Sequence, residues 1–292
     1  MRDVSAVSSS PGAAEREPGT FYVSPTGDDA AAGTIDAPWG SLAHASSTAI
    51  PGDTIRFLPG EYEGVLRPIR GGTSEAPIVF QSWPRRSAVL LGQSYSDHAV
   101  NLSRVEYVHV EGFTIRPRSD QGRWLLVENS HHIEIDDVLM EDAASGGMPM
   151  HINASHHVFV RDSVMRGGGF NMARVGHSSH ILFAGNAISR AGHCPLQFYP
   201  DGSTSHVVLR GNVFHAAWGR NFEFFGTKHV LFENNIVTNA LHSSRSASAS
   251  AKFATQDGIF RFNRVFRNWG GPLHDYPMRD QWITNLRVYN NV

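Results

Sequence analysis

HIEIDDVLM (His132–Met140), HVFVRDSVM (His157–Met165) and HILFAGNAI (His180–Ile188) are successive copies of one pattern. Each is a histidine, a strand-length run of β-branched or aromatic residues, and a polar turn leading to a second short apolar run. The pattern begins earlier as YVHVEGFTI from Tyr107 and continues as HVVLRGNVF from His206 and HVLFENNIV from His229, with starts 23 to 26 residues apart. Two looser copies, GIFRFNRVF from Gly258 and NLRVYNNV from Asn285, carry it to Val292. A fixed period of this length marks a solenoid, in which each repeat buries its apolar face only by stacking on the next.

A second strand precedes each copy. Its alternation sets an inward pair in every repeat: Leu125/Val127, Met150/Ile152, Ala173/Val175, Leu196/Phe198, Phe222/Phe224 and Ala251/Phe253, all apolar. Two or three short strands per repeat leave no room for a helix, which excludes βαβ layouts and favours a coil of β-strands. The leucine spacing of leucine-rich repeats is absent. Asn186, Asn212, Asn235, Asn263 and Asn291 share one turn position once the last copies are slipped by a residue, and are read as a structural amide ladder. His132, His157, His180, His206 and His229 form a second column, read as stacking and hydrogen bonding in preference to metal ligation.

Among 292 residues, 41% are hydrophobic and 18% charged, and the net charge is -2, so no bulk field recruits nucleic acid or an anionic membrane. Cys194 stands alone, which excludes an intramolecular disulfide, and is read as a small buried residue. No run approaches the ~20 apolar residues of a membrane span. Residues 1–20, rich in Ser, Pro, Ala and Glu and without a signal-peptide core, are expected to be a disordered lead-in. Residues 21–292 are expected to form one domain that stops inside a repeat, as a longer natural chain would if cut there.

The segment from Phe21 to Gly64 carries YVSPTGDD, then GT, APW and SL, then PGDTIRFLPGEY. With the repeats, it resembles the pectate-lyase-like right-handed parallel β-helix family over the whole chain. The resemblance implies an all-β right-handed solenoid closed by a short N-terminal capping helix, which Ser41 to Ile50 would supply. It also implies a secreted or periplasmic protein, a monomer whose partner is a polysaccharide lying along one sheet. The family spans polysaccharide lyases, glycoside hydrolases, epimerases and binding proteins, so it is specific for fold and not for reaction.

Between the inward residues one position per coil points outward: Leu126, His151, Arg174, Gln197, Glu223, Lys252 and His274. Parallel neighbours lie ~4.8 Å apart, so six polar residues in succession would floor a cleft. β-Elimination on a uronate polymer needs a cation for the carboxylate, a base for the C5 proton and an acid for the leaving oxygen. Arg174 is the expected carboxylate clamp and Lys252, one of two lysines in the chain, the expected base, with His151 and His274 as alternative acid or base groups. Glu223 beside Lys252 opposes base function by favouring the ammonium, unless it binds a sugar hydroxyl or, as carboxylates do in lyases that the chain resembles, ligates calcium. Gln197 and the aromatics Tyr199, Trp218, Phe225, Trp269 and Tyr276 are expected to contact sugar.

A glycoside hydrolase needs two carboxylates roughly 5 to 9.5 Å apart. Glu128 stands four coils from Glu223, on the order of 19 Å, and the remaining pair is Asp275 with Glu223, roughly two coils apart, which requires that Asp275 does not turn inward. A hydrolase or epimerase on the same groove, or a non-catalytic glycan-binding or structural β-helix, are therefore the alternatives to a lyase. No G-x-S-x-G, Walker A or dinucleotide fingerprint is present.

Overall fold

The computed structural model describes residues 16–92, 98–117, 123–143, 149–167, 170–198, 203–217, 222–239, 252–267, 274–275 and 284–292. All the paired strands are parallel, each bonded to its equivalents one repeat before and after, so the chain coils into a right-handed β-helix with three strands per turn. One turn consists of Asn171–Gly176 in a first sheet, Ser179–Ala184 in a second and Ala187–Ser189 in a third. Phe222–Glu233 and Lys252–Arg261 run unbroken from the first sheet into the second, with a register shift between Phe225 and Lys228 at the corner.

Alternation explains the core. Leu125, Val127, Met150, Ile152, Ala173, Val175, Leu196, Phe198 and Phe224 are fully buried, as the inward pattern requires. Rings stack in register along the axis, Phe198 on Phe224 at 4.8 Å. The remaining inward residues, Phe222, Ala251 and Phe253, have side chains outside the described residues. Cys194 is buried, its thiol directed at Asn171 Oδ1 and Leu196 O.

The turns are fastened by side chains. Between second and third sheets, the Nδ2 of Asn186, Asn212, Asn235 and Asn263 donates to the Oδ1 of the next asparagine at 2.8–3.1 Å, ending at Asn291. Each also donates to a main-chain carbonyl and receives a backbone N–H. Ser163 extends the ladder at its start by donating its N–H to Asn186 Oδ1. A second ladder, unanticipated from sequence, joins the first and second sheets: the backbone N–H groups of Val105, Ser130 and Ser155 donate to the hydroxyls of Ser130, Ser155 and Ser178.

The histidine column occupies a left-handed backbone position, φ 53–55° at His132, His157, His180, His206 and His229. Its rings stack at 4.5–4.7 Å from His132 to His206, and the His229 ring follows at 4.7 Å, tilted by 37°. Pairing of Val230 with Gly258 puts Asp257 at the histidine position in the following coil, the one-residue slip in the late repeats.

A helix, Leu42–Thr48, caps the first coil, with Ser41 as its N-cap accepting from His44 N and Leu42, Ala45 and Ser46 buried beneath it. The Phe21–Gly64 motif residues serve this end. Trp39 stacks on Phe21 at 4.8 Å, and Gly33 is necessary because a Cβ there would meet the Trp39 ring at 2.6 Å. The fully buried Asp53 receives the N–H groups of Gly19 and Ile50 and is paired with Arg16. Tyr62 donates to Leu58 O at 2.7 Å. The described chain thus begins at Arg16, inside the segment expected to be a lead-in, and its first strand starts at Thr20.

Candidate functional site

The outward column is a continuous line of strand-paired residues on the first sheet. Leu126 pairs with His151, His151 with Arg174, Arg174 with Gln197, Gln197 with Glu223, Glu223 with Lys252 and Lys252 with His274. His151, Arg174 and Gln197 are each half-buried in the sheet surface. Glu223, Lys252 and His274 are placed by backbone register. Lys252 therefore has Glu223 and His274 as nearest neighbours, one step of about 4.8 Å to either side. Three steps separate it from Arg174, about 14 Å, so the two would engage different sugars of one chain.

The same register decides the hydrolase pair. Asp275 lies opposite Phe253, on the inward parity of its strand, one position off the column that holds Glu223. Glu128 pairs with Ser103 and Asn153, in the adjacent outward row. It lines an open pocket with Arg67, Ile69, Asn101, Ser103 and Arg104. Asn101 pairs with Leu126, so this pocket is the upstream continuation of the same face.

Sequence reasoning missed a polar and aromatic cluster beside the column. Asn171 donates to Gln197 Oε1 at 2.9 Å, and its Oδ1 lies 3.1 Å from His193 Nδ1. His193 in turn stacks on Phe170, ring centroids 4.5 Å apart and planes within 2°. Phe170 is 48% exposed, a solvent-facing ring at the entry of the strand that carries Arg174. The signal was an aromatic one residue ahead of the strand in one coil and a histidine at the same place in the next. Tyr199, Trp218, Trp269 and Tyr276 lie outside the described residues, as does the side chain of Phe225.

A calcium shell takes six to eight oxygens. Among the described residues the column supplies one carboxylate, Glu223, and one amide, Gln197, with a lysine alongside. A calcium ion at Glu223 would take most of its oxygens from outside the column.

The fold and this row define a right-handed parallel β-helix with a line of polar residues along one sheet. The model of the Pel9A-like right-handed β-helix region matches residues 21–172, just over half of the chain, and that of the right-handed β-helix region matches residues 98–260. The chain belongs to the Pel9A-like right-handed β-helix family, which has carbohydrate-active members.

Two curated relatives match over shorter stretches. The uncharacterized protein YwoF of Bacillus subtilis is 29% identical over 152 residues, 50% of this chain and 28% of its own length. Pectate lyase PEL9 of Emericella nidulans is 39% identical over 75 residues, 25% of this chain and 18% of its own. Among solved structures, the GH136 lacto-N-biosidase of Eubacterium ramulus superposes with TM-score 0.72 at 16% identity, over 87% of this chain and 57% of that one. Pectate lyase Pel9A gives 0.59 at 13%, over 96% and 79%. PfbA, a surface adhesin of Streptococcus pneumoniae, gives 0.64 at 13%, over 82% and 72%.

Proposed function

We propose that this chain cleaves an acidic, uronate-containing polysaccharide by β-elimination along the first sheet. One observation carries the reading: the unbroken register from His151 to His274, which lines up a cation, a basic residue and an imidazole on one face. With Glu223 engaged by a sugar hydroxyl, Lys252 takes the C5 proton as the free amine. The electron pair of that C–H bond forms the C4=C5 double bond as the C4–O bond breaks, and His274, one step away, protonates the departing oxygen. Arg174, three steps from Lys252, holds the carboxylate of a sugar farther along the chain, and the charge on the reacting sugar's own carboxylate is left to a group outside the column. The family membership and the pectate lyase relative support a glycan substrate, and the position of Asp275 off the column weakens the hydrolase alternative. No catalytic step is assigned to calcium, because any shell at Glu223 would have to be completed by oxygens beyond the described residues.

The test is ultraviolet absorbance of the unsaturated uronate product on pectate, alginate and glycosaminoglycans, with calcium and with chelator. Rising absorbance on one of them, lost by about 100-fold or more in Lys252→Ala with glycan binding retained, is the expected result. A flat trace on all substrates, or unchanged turnover in the variant, overturns the proposal.

A further inference from the structure

At one corner of the solenoid the histidine column is doubled. His131 and His156 stand beside His132 and His157, whereas the equivalent neighbours of His180 and His206 are Ser179 and Ser205. The rings stack within each column, His131 on His156 at 4.8 Å and His132 on His157 at 4.6 Å, both within 5° of parallel. Across the columns Nδ1 faces Nδ1, at 3.0 Å between His131 and His132 and 2.9 Å between His156 and His157. Stacking requires parallel planes but not convergent nitrogens. Here one ligand nitrogen each from His132, His156 and His157 falls within 4.8 Å of the others, with His156 exposed to solvent.

We propose that His132, His156 and His157 form a surface site for a divalent transition cation of the zinc, nickel or copper class, clamping two consecutive coils together. Imidazole suits these ions, and metal–nitrogen bonds of about 2.0–2.1 Å put tetrahedral ligand nitrogens roughly 3.3 Å apart, a modest contraction from the free arrangement. The backbone supplies preorganisation, because both column residues sit in left-handed turns locked between paired strands. The carboxylate of Glu106 lies 2.7 Å from His131 Nε2. A hydrogen bond from Nε2–H of the neutral ring to that carboxylate leaves the His131 lone pair at Nδ1, beside Nδ1 of His132. The site lies on strands of the second sheet, His131–Asp136 and His156–Arg161, whereas the column lies on the first, and it does not depend on the chemistry proposed there.

Titration of tag-free protein with Zn2+ and Ni2+ by calorimetry tests this. Asparagine is the replacement of choice, since it tolerates the left-handed backbone. The expected result is one tight equivalent that raises the unfolding temperature, weakened at least tenfold by His156→Asn or His157→Asn and unchanged by His206→Asn, which disturbs the same stack without touching the site. Without any variant, paramagnetic Ni2+ should broaden the ring resonances of His132, His156 and His157 before those of His206 and His229. Absence of binding, equal loss in His206→Asn, or broadening led by another histidine overturns the site.

Discussion

Phe170 and Arg174 lie four residues apart and illustrate how differently single residues are exposed by this fold. Arg174 has an assigned place because its strand parity and register are both set by buried neighbours, Ala173 and Val175. Phe170 precedes the strand, and only its stack on His193 shows that an exposed ring stands at the groove. Flat rings of this kind suit the apolar face of a sugar. Phe170→Ala is expected to weaken glycan binding severalfold while leaving the unfolding temperature near the wild-type value, because truncating an exposed side chain usually changes stability by less than about 0.5 kcal/mol. A large fall in the unfolding temperature with unchanged glycan affinity would make the ring a packing group.

The ladders show the corresponding logic for elements. Asn212 accepts from Asn186 N and Nδ2 and donates to Phe183 O and Asn235 Oδ1, so four bonds tie three coils through one buried side chain. Asn212→Ala leaves buried main-chain and amide groups unsatisfied and is expected to cost on the order of 3 kcal/mol. Asn291→Ala, at the exposed end of the same ladder, is expected to cost clearly less. Equal losses in urea unfolding would show that burial does not set the strength of the ladder. The asparagines were visible in the sequence because their period is that of the repeat. The serine ladder was not, because serine is common in turns of every kind and only the bonds distinguish Ser130, Ser155 and Ser178 from the rest.

Across the molecule, outward charges are arranged so that a carboxylate sits between arginines from the coils on either side. Glu233 lies between Arg210 and Arg261, and Glu141 between Arg116 and Arg166. Burial alone would raise both carboxyl pKa values, but the hydrogen bonds and charges of the arginines outweigh it and hold them below the usual range. A carboxyl lowered in the folded state stabilises it at pH above the unfolded value, about 4.3, and loses that contribution as pH falls through the folded one. Stability measured by urea unfolding is therefore expected to be level near neutrality and to fall below about pH 4. Glu233→Gln should show a smaller loss between pH 7 and pH 3 than wild type; an identical loss would remove Glu233 from the acid response.

The sequence by itself determined the solenoid, its inward residues, the capping helix and the candidate column. The solenoid, the inward residues and the column follow from period and alternation, which are local properties of a chain whose every coil repeats the same environment, and the capping helix from the resemblance carried by Phe21–Gly64. It also held the histidine column, read there as stacking and hydrogen bonding. Only the tertiary structure decided that Asp275 lies on the inward parity opposite Phe253, that Phe170 and His193 pair beside the column, and that His131 and His156 turn a stack into a convergent cluster. Those facts depend on which side-chain atoms of neighbouring coils meet across the sheet and at its corners, and spacing along a chain carries no record of that.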